Sequence, residues 1–261
     1  MQRGRVAEPA PPAPSVVDVA GRPDATALLN RLYEEILVPS FRREELEPLE
    51  MMAWSIEQTQ RNTDVAAACD ESGEILGAMI GDWDPASRVY LLSYLAARPG
   101  LRSRGVGTVL MEYLPVWSRA RGALVTLAEV DDPRCHSAEG LIGDPTARLS
   151  FYGRFDARVL DLPYFQPRLG PDGRRAHGML LLAFDVDSDG LVGGAIPALR
   201  GDVIGTWLQG YFVGAEGMDE SSDSSRDVDC ARILDQAFAP AGVRILPLDQ
   251  YAEITPDVAT I

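Results

Sequence analysis

The alternation of apolar and polar positions predicts a strand and two helices near the start of the chain. Residues 15–20 alternate in the manner of a half-buried strand. Residues 25–38 repeat leucine and isoleucine at helical spacing behind Asp24, a residue type suited to capping a helix. Residues 42–60 predict a second helix that is broken near Pro48, because proline disrupts the helical hydrogen-bond ladder.

The next part of the chain predicts three strands, a glycine-containing loop and a helix. Residues 64–69 and 75–83 are expected to form two strands joined by a turn at residues 70–73. Residues 89–97 predict the third strand. Residues 106–117 place apolar side chains at helical spacing, so this helix is expected to direct that stripe into the core.

The second half of the chain continues with strands and helices up to a Gly- and Asp-rich segment. It predicts a strand at 123–130 and a polar loop at 131–143. A short helix follows, capped by Asp144 or Thr146 and including Tyr152. Two further strands are expected at 157–165 and 176–185. The Gly- and Asp-rich residues 187–194 indicate a boundary. Beyond it we expect two helices, at about 199–212 and 227–238, and a short strand at 243–248. The expected organisation is a disordered tail at 1–14, an α/β domain at 15–187 and a C-terminal helical extension at 188–261.

The composition indicates a globular protein with no nucleic-acid partner and no membrane span. The chain has 261 residues, 46% of them hydrophobic, which is enough for a sizeable core. The formal charge of −15 argues against a nucleic-acid partner and is compatible with attraction of cationic small molecules. No apolar run reaches the roughly 20 residues of a membrane span, and residues 1–14 lack the apolar segment of a signal peptide.

The cysteines indicate a reducing compartment and no metal site. Cys69, Cys135 and Cys230 are too widely spaced for a disulfide framework, so the cytoplasm is the expected location. Cys135 and His136 form a neighbouring pair, but a zinc site needs about four ligands. We therefore expect no metal.

All 24 basic residues are arginines, and the absence of lysine excludes several enzyme classes. P-loop proteins, pyridoxal enzymes and protein kinases each depend on a lysine. The sequence also lacks the Gly-x-Ser-x-Gly and His-Glu-x-x-His motifs.

The segment from Arg102 to Thr108 carries the strongest chemical signal. It lies between a predicted strand and a predicted helix, and it contains Gly105 and Gly107. Backbone N–H groups of such a loop, with the positive end of the helix dipole behind them, suit a phosphate group. The dinucleotide-binding fingerprint would need a third glycine where Leu110 stands, so this fingerprint is absent.

These motifs and the order of elements resemble the GNAT superfamily of N-acetyltransferases. Arg102, Gly105 and Gly107 match the family's Gln/Arg-x-x-Gly-x-Gly/Ala loop, and Pro99 stands where the family often has a proline. Residues 151–155, Phe-Tyr-Gly-Arg-Phe, match loosely a second family motif. The resemblance covers about residues 15–187 and implies an acyl-CoA N-acyltransferase fold, a mixed central sheet flanked by helices. Pro145 departs from the pattern, because many members have an asparagine there.

The resemblance implies that acetyl-CoA is the co-substrate and that an amine of a small molecule or peptide is the acceptor. The implied cofactor-binding residues are the strand residues Leu95, Ala96 and Ala97 for the pantetheine arm, and the loop residues Arg102, Ser103, Arg104, Gly105, Val106, Gly107 and Thr108 for the pyrophosphate. The pantetheine contact requires an open strand edge, which the family creates by separating its fourth and fifth strands. Tyr152 matches the position of the family's general acid.

The sequence leaves more than one candidate for the general base and more than one candidate function for the chain. Glu129, at the end of a predicted strand, is our choice of base, and Glu34, Glu35 and Tyr94 are the other candidates. A catalytically degenerate GNAT module that binds acyl-CoA or a protein partner is the alternative to an enzyme. A nucleotide-binding protein is a third interpretation. The C-terminal extension is a candidate lid over the acceptor pocket or a homodimer interface.

Overall fold

A computed structural model describes residues 13–101, 104–138, 143–169, 173–194, 197–216 and 227–257. The expected tail therefore lies almost entirely outside the described residues. No helix in these ranges is both long enough and apolar enough to cross a bilayer.

The described residues form an 11-stranded mixed sheet in the order β1-β2-β3-β4-β5-β8-β6-β11-β10-β9, with β7 paired to β8. The strands are β1 (Ser15–Asp18), β2 (Thr63–Cys69), β3 (Ile75–Asp84), β4 (Val89–Ala97), β5 (Val125–Asp131), β6 (Arg158–Leu160), β7 (Tyr164–Gln166), β8 (Ala176–Phe184), β9 (Leu191–Val192), β10 (Ala198–Leu199) and β11 (Val243–Pro247). The β4–β5 pair is parallel, whereas the other described pairs are antiparallel. The strand expected at 157–165 is divided into β6 and β7, and both pair with β8.

Six α-helices in the described residues cover the sheet. They are α1 (Ala25–Leu32), α2 (Leu49–Glu57), α3 (Val106–Arg121), α4 (Pro145–Gly153), α5 (Gly201–Glu216) and α6 (Val228–Ala237). A π-helical turn, Tyr33–Leu37, continues α1. Pro48 immediately precedes α2 and ends the expected longer helix, as proline chemistry requires.

The alternation of side chains along the strands divides the core between two faces of the sheet. Ala128 and Val130 of β5 pack with α3 and α4, and this side is the α3/α4 face. Leu127 of β5 packs on the opposite side with α5 and α6. The same opposite side carries α1 and α2 over β2, β3 and the end of β4. We call this side of the sheet, which carries α1, α2, α5 and α6, the acceptor face.

The residues after 188 contribute both strands and helices, where helices were the main expectation. Strand β11 extends the sheet by pairing Ile245 with Leu160 and Leu246 with Val159 of β6. Trp207 and Phe212 of α5 are 4% and 1% exposed, because they pack into the same cluster as β5 and β8. The division at residue 187 stays a prediction, and the segment beyond it shares one sheet and one core with the rest.

Candidate active site

Strands β4 and β5 separate partway along their length. Their parallel pairing runs from Val89–Val125 to Leu92–Ala128 and then stops, although both strands continue. We call the gap between residues 93–97 of β4 and residues 129–131 of β5 the β4–β5 opening. Parallel strands are ordinarily joined by evenly spaced hydrogen bonds, so the separation leaves an edge of β4 free to pair with a ligand.

A β-bulge at Ser93 accompanies this separation. Leu92 pairs with Gly81 of β3, and Tyr94 pairs with the adjacent Ile80, so Ser93 is the extra residue in β4. A bulge bends its strand and reverses which side chains face each side of the sheet. Tyr90 and Leu92 accordingly face α3, whereas Tyr94 faces α1 and α2.

Leu95, Ala96 and Ala97, the residues expected to contact pantetheine, lie on the free edge of β4. Their other edge is paired with Met79, Ala78 and Gly77 of β3. The described residues show no pairing between them and β5. The structure thus contains the open edge that the resemblance requires and that the sequence pattern could not reveal.

The glycine loop leads directly into α3. Gly105 precedes the helix with φ of +83°, a left-handed conformation that favours glycine, and a Cβ there would meet no atom within 4 Å. Arg104 and Gly105 are exposed, Gly107 and Thr108 are half-buried and Val106 is buried. Gly105, the N-cap residue of α3, has no side chain with which to cap the helix. The N–H groups in the first turn of a helix are suited to an anion. Arg102 and Ser103 lie outside the described residues.

Gly107 also has a packing role between α3 and α4, which the sequence did not reveal. A Cβ at Gly107 would lie 3.2 Å from Cζ of Phe151. Glycine is therefore the residue that lets α3 approach the aromatic pair on α4. The two sequence motifs, far apart along the chain, are in direct contact.

Tyr152 is held in an apolar environment on the α3/α4 face. Asp144 caps α4 by accepting a hydrogen bond from the Thr146 N–H at 2.9 Å, and Pro145 occupies the first helical position. The Tyr152 side chain is 7% exposed and packs edge-on against Phe184, with ring centroids 5.6 Å apart. Burial raises the pKa of Tyr152, so the hydroxyl keeps its proton at neutral pH.

Glu129 lies at the first β5 position beyond the last β4–β5 pair, on the acceptor face. Its carboxylate accepts hydrogen bonds from the Tyr164 hydroxyl at 2.5 Å, the Gln166 amide at 3.1 Å and the Tyr211 hydroxyl at 3.1 Å. Burial raises the pKa of Glu129 to about 7, even though these three hydrogen bonds act to lower it. The carboxyl can therefore exchange a proton near neutral pH.

The other three candidates for a general base have environments less suited to that role. Glu35 is bound by Arg98 at 2.5 Å and by Arg31 at 3.1 Å, and these partners lower its pKa. Glu34 is exposed. The Tyr94 hydroxyl donates to the Glu45 carbonyl and accepts from the Glu47 N–H, and burial raises the pKa of this tyrosine.

Two further carboxyl groups lie near Tyr94 on the acceptor face. Burial, with repulsion from Asp82, raises the pKa of Glu47 to about 7. Burial also raises the pKa of Asp82, against the effect of its hydrogen bonds from Ser93 and Thr63. Both carboxylates, together with Glu129, raise the pKa of Tyr94 through their negative charge. The acceptor face beside the β4–β5 opening is therefore acidic. The described ranges contain no group of His, Cys, Asp and Glu that could hold a metal ion.

The separated parallel pair, with a glycine-led helix on one face, is the arrangement that the resemblance to the GNAT superfamily implies. Residues 29–140 match the model of the Acetyltransferase (GNAT) family. Over these residues the chain matches a GNAT acetyltransferase domain, as the motifs predicted. This match includes Gly105 and Glu129 and ends before α4.

Several solved structures are similar to this chain, and the first of them, with a TM-score above 0.5, has the same fold. A GNAT-family protein from Bacteroides thetaiotaomicron, described as an acetyltransferase, is 20% identical and covers 67% of this chain and 89% of its own, with a TM-score of 0.51. The ribosomal-protein-S18-alanine N-acetyltransferase from Escherichia coli is 13% identical, with coverage of 69% and 97% and a TM-score of 0.44. An aminoglycoside 6′-N-acetyltransferase complexed with coenzyme A is 16% identical, with coverage of 65% and 95% and a TM-score of 0.44. No curated protein matches the sequence.

Proposed function

We propose that this protein transfers an acetyl group from acetyl-CoA to a primary amine of a small molecule or peptide by direct attack. The observation that carries the proposal is the position of two ionisable side chains on opposite faces of the sheet beside the β4–β5 opening. Tyr152 belongs to the α3/α4 face, and Glu129 belongs to the acceptor face. Donor and acceptor would meet through the opening, each with its own acid–base group.

The residues on the α3/α4 face fit the donor. The N–H groups at the start of α3, with open space above Gly105, suit a pyrophosphate, and Arg102 and Arg104 would add positive charge. The free edge at Leu95, Ala96 and Ala97 would pair with the amide groups of the pantetheine arm. The bound thioester supplies the acetyl carbonyl that the amine attacks.

We assign one proton transfer to each of the two side chains. Glu129, as carboxylate, would accept a proton from the incoming ammonium, directly or through water, which leaves a nucleophilic amine. The new C–N bond forms as the C–S bond breaks, and Tyr152 would give its proton to the leaving thiolate. The second proton lost by the nitrogen restores the tyrosine hydroxyl.

The acidic acceptor face supports an amine that arrives with a positive charge. Glu47, Asp82 and Glu129 surround the Tyr94 hydroxyl from several elements, and their charge acts on it. Carboxylates in a partly buried site are stabilised by a cation. The net charge of −15 would also favour approach of cations over anions. The three cysteines are unpaired, which supports a cytoplasmic site of action.

A panel of primary amines with acetyl-CoA, monitored by release of free thiol, tests the proposed function. We expect release with at least one cationic amine and none without an acceptor. A protein that is stabilised by CoA but releases no thiol with any amine would be the degenerate module instead. Thermal stabilisation by ATP or NAD in place of CoA would indicate a nucleotide-binding protein.

A further inference from the structure

Helix α5, from the C-terminal segment, contacts the Glu129 carboxylate beside the β4–β5 opening. The Tyr211 hydroxyl donates to Oε2 of Glu129, across a sequence separation of 82 residues. The GNAT family match ends at residue 140, so this contact comes from a part of the chain outside that match.

The Tyr211 ring is held in place by its own helix. It stacks on Trp207 with centroids 5.1 Å apart and an interplanar angle of 22°. One residue further on, Phe212 stacks on Phe165, with centroids 5.1 Å apart. At the end of α5, Arg175 binds Glu216 with two bonds of 2.7 Å. Helix α5 therefore presents Tyr211 from a fixed position.

Two carboxylates near α5 illustrate the difference between a structural and a reactive environment. Glu216 is paired with the Arg175 guanidinium, the usual arrangement for a buried structural carboxylate. Glu129 instead receives hydrogen bonds from three neutral groups and keeps some solvent exposure. Neutral donors orient a carboxylate without fixing its charge, so Glu129 remains able to take up a proton.

Helix α5, which carries Tyr211, packs against β4, which carries Tyr94. Burial raises the pKa of Tyr211, and the charges of Glu129 and Tyr94 add to this shift. Tyr94 fixes the segment before α2 through the Glu45 carbonyl and the Glu47 N–H. The acceptor face is thus bounded by the segment before α2 on one side and by α5 on the other.

We propose that α5 closes the acceptor side of the β4–β5 opening and that Tyr211 is a positioning residue for the Glu129 carboxylate. The proposal rests on the proposed role of Glu129 as base. It makes the segment after residue 188 a part of the active site, beyond its contribution to the core. The groups that face Glu129 are Tyr164 and Gln166 from β7, Tyr211 from α5 and Tyr94 from β4.

The test is Tyr211→Phe in the full chain, with Tyr251→Phe as the matched control. Tyr251 also belongs to the C-terminal segment, but it packs under Arg134. The Glu129 carboxyl is followed by 13C NMR as the pH is changed, with its signal assigned by loss in Glu129→Gln. Loss of one donor to the charged form should raise the pKa of Glu129 by about one unit. Tyr251→Phe should leave the pKa of Glu129 unchanged. The two variants should have similar melting temperatures.

The pH dependence of kcat/KM provides the functional readout. In Tyr211→Phe the acidic limb should move to higher pH by the same amount as the carboxyl titration, with CoA affinity retained. An unchanged titration, or a moved titration with an unchanged rate profile, would overturn the proposal. If wild-type protein acetylates no amine, the proposed function fails, and the NMR titration alone still decides whether Tyr211 controls Glu129.

Discussion

The ring of Phe151 lies against the backbone of Gly107, with Cζ 3.2 Å from where a Cβ would be. This contact joins the helix that follows the glycine loop to the helix that carries Tyr152. A Cβ at that distance would be closer than ordinary van der Waals contact. A side chain at position 107 therefore requires the Phe151 ring to shift by a few tenths of an ångström.

Gly107→Ala and Gly210→Ala should have different effects on stability. Gly210 lies in α5, where a Cβ would meet no atom within 4 Å, so alanine should stabilise the protein by about 0.5–1 kcal/mol through the helix backbone. At Gly107 the same gain is opposed by overpacking against Phe151. Gly107→Ala should thus unfold at lower temperature than Gly210→Ala in thermal denaturation. Equal stabilisation of both variants would contradict the close packing of α3 and α4.

Gly105→Ala should weaken CoA binding, whereas Gly73→Ala should not. Both glycines have positive φ, +83° and +82°, and a Cβ added to either would meet no atom within 4 Å. Each substitution should cost about 1–2 kcal/mol in unfolding free energy, because a left-handed conformation is strained for alanine. Only Gly105 precedes α3. Calorimetric titration with CoA should show reduced affinity for Gly105→Ala alone, and equal affinities would remove the glycine loop from the proposed cofactor site.

Tyr152→Phe should lower turnover by more than about tenfold while CoA affinity is retained. The substitution removes the proton that the leaving thiolate needs and preserves the ring contacts with Phe151 and Phe184. Tyr113→Phe is the control, because Tyr113 lies on α3 and packs against Trp117. Steady-state kinetics with the best amine provide the measurement. Near-normal turnover of Tyr152→Phe would exclude the tyrosine as general acid.

The rate should rise as the pH increases through about 7, because burial raises the pKa of Glu129 to about 7 and only the carboxylate accepts a proton. Glu129→Gln should lower the rate and abolish this increase of the rate with pH.

The stability of the fold should decrease over the pH range in which the rate increases. A carboxyl with a raised pKa stabilises the fold fully below its ordinary value of 4.5, and this contribution is lost as the pH rises through about 7.

The unfolding free energy of wild type should accordingly decrease between about pH 5 and pH 8. Glu129→Gln should show a smaller decrease, measured by urea denaturation at several pH values. Glu47 should contribute to the remaining decrease, since its pKa is also about 7. Parallel pH dependences for wild type and variant would contradict the raised pKa of Glu129.

Local patterns were sufficient to predict much of the fold. Strand β4 begins and ends where its alternation of side chains predicted, and α2 begins after Pro48 as expected. The glycine loop and the Phe151–Tyr152 pair were identified because each motif is contiguous in the chain. These features depend on neighbouring residues, which a single sequence shows directly.

The arrangement around Glu129 could not be predicted in this way. Its partners Tyr164, Gln166 and Tyr211 come from elements brought close only by the folded sheet. The bulge at Ser93 and the end of β4–β5 pairing also depend on two strands at once, and Ser93 has no distinctive local signature. The residues after 188 were expected to form two helices and a short strand, but the sequence could not show that this strand, β11, pairs with β6 and joins the sheet.

The alternation of side chains along β5 has a consequence for how this protein can evolve or be redesigned. Ala128 and Val130 face the side proposed for the donor, and Glu129 between them faces the side proposed for the acceptor. Under the proposed function, substitutions in α5 or in the segment before α2 would alter which amine is accepted and leave the contacts to the cofactor intact. New acceptor specificities would then arise through the acceptor face alone, without a loss of donor binding along the way.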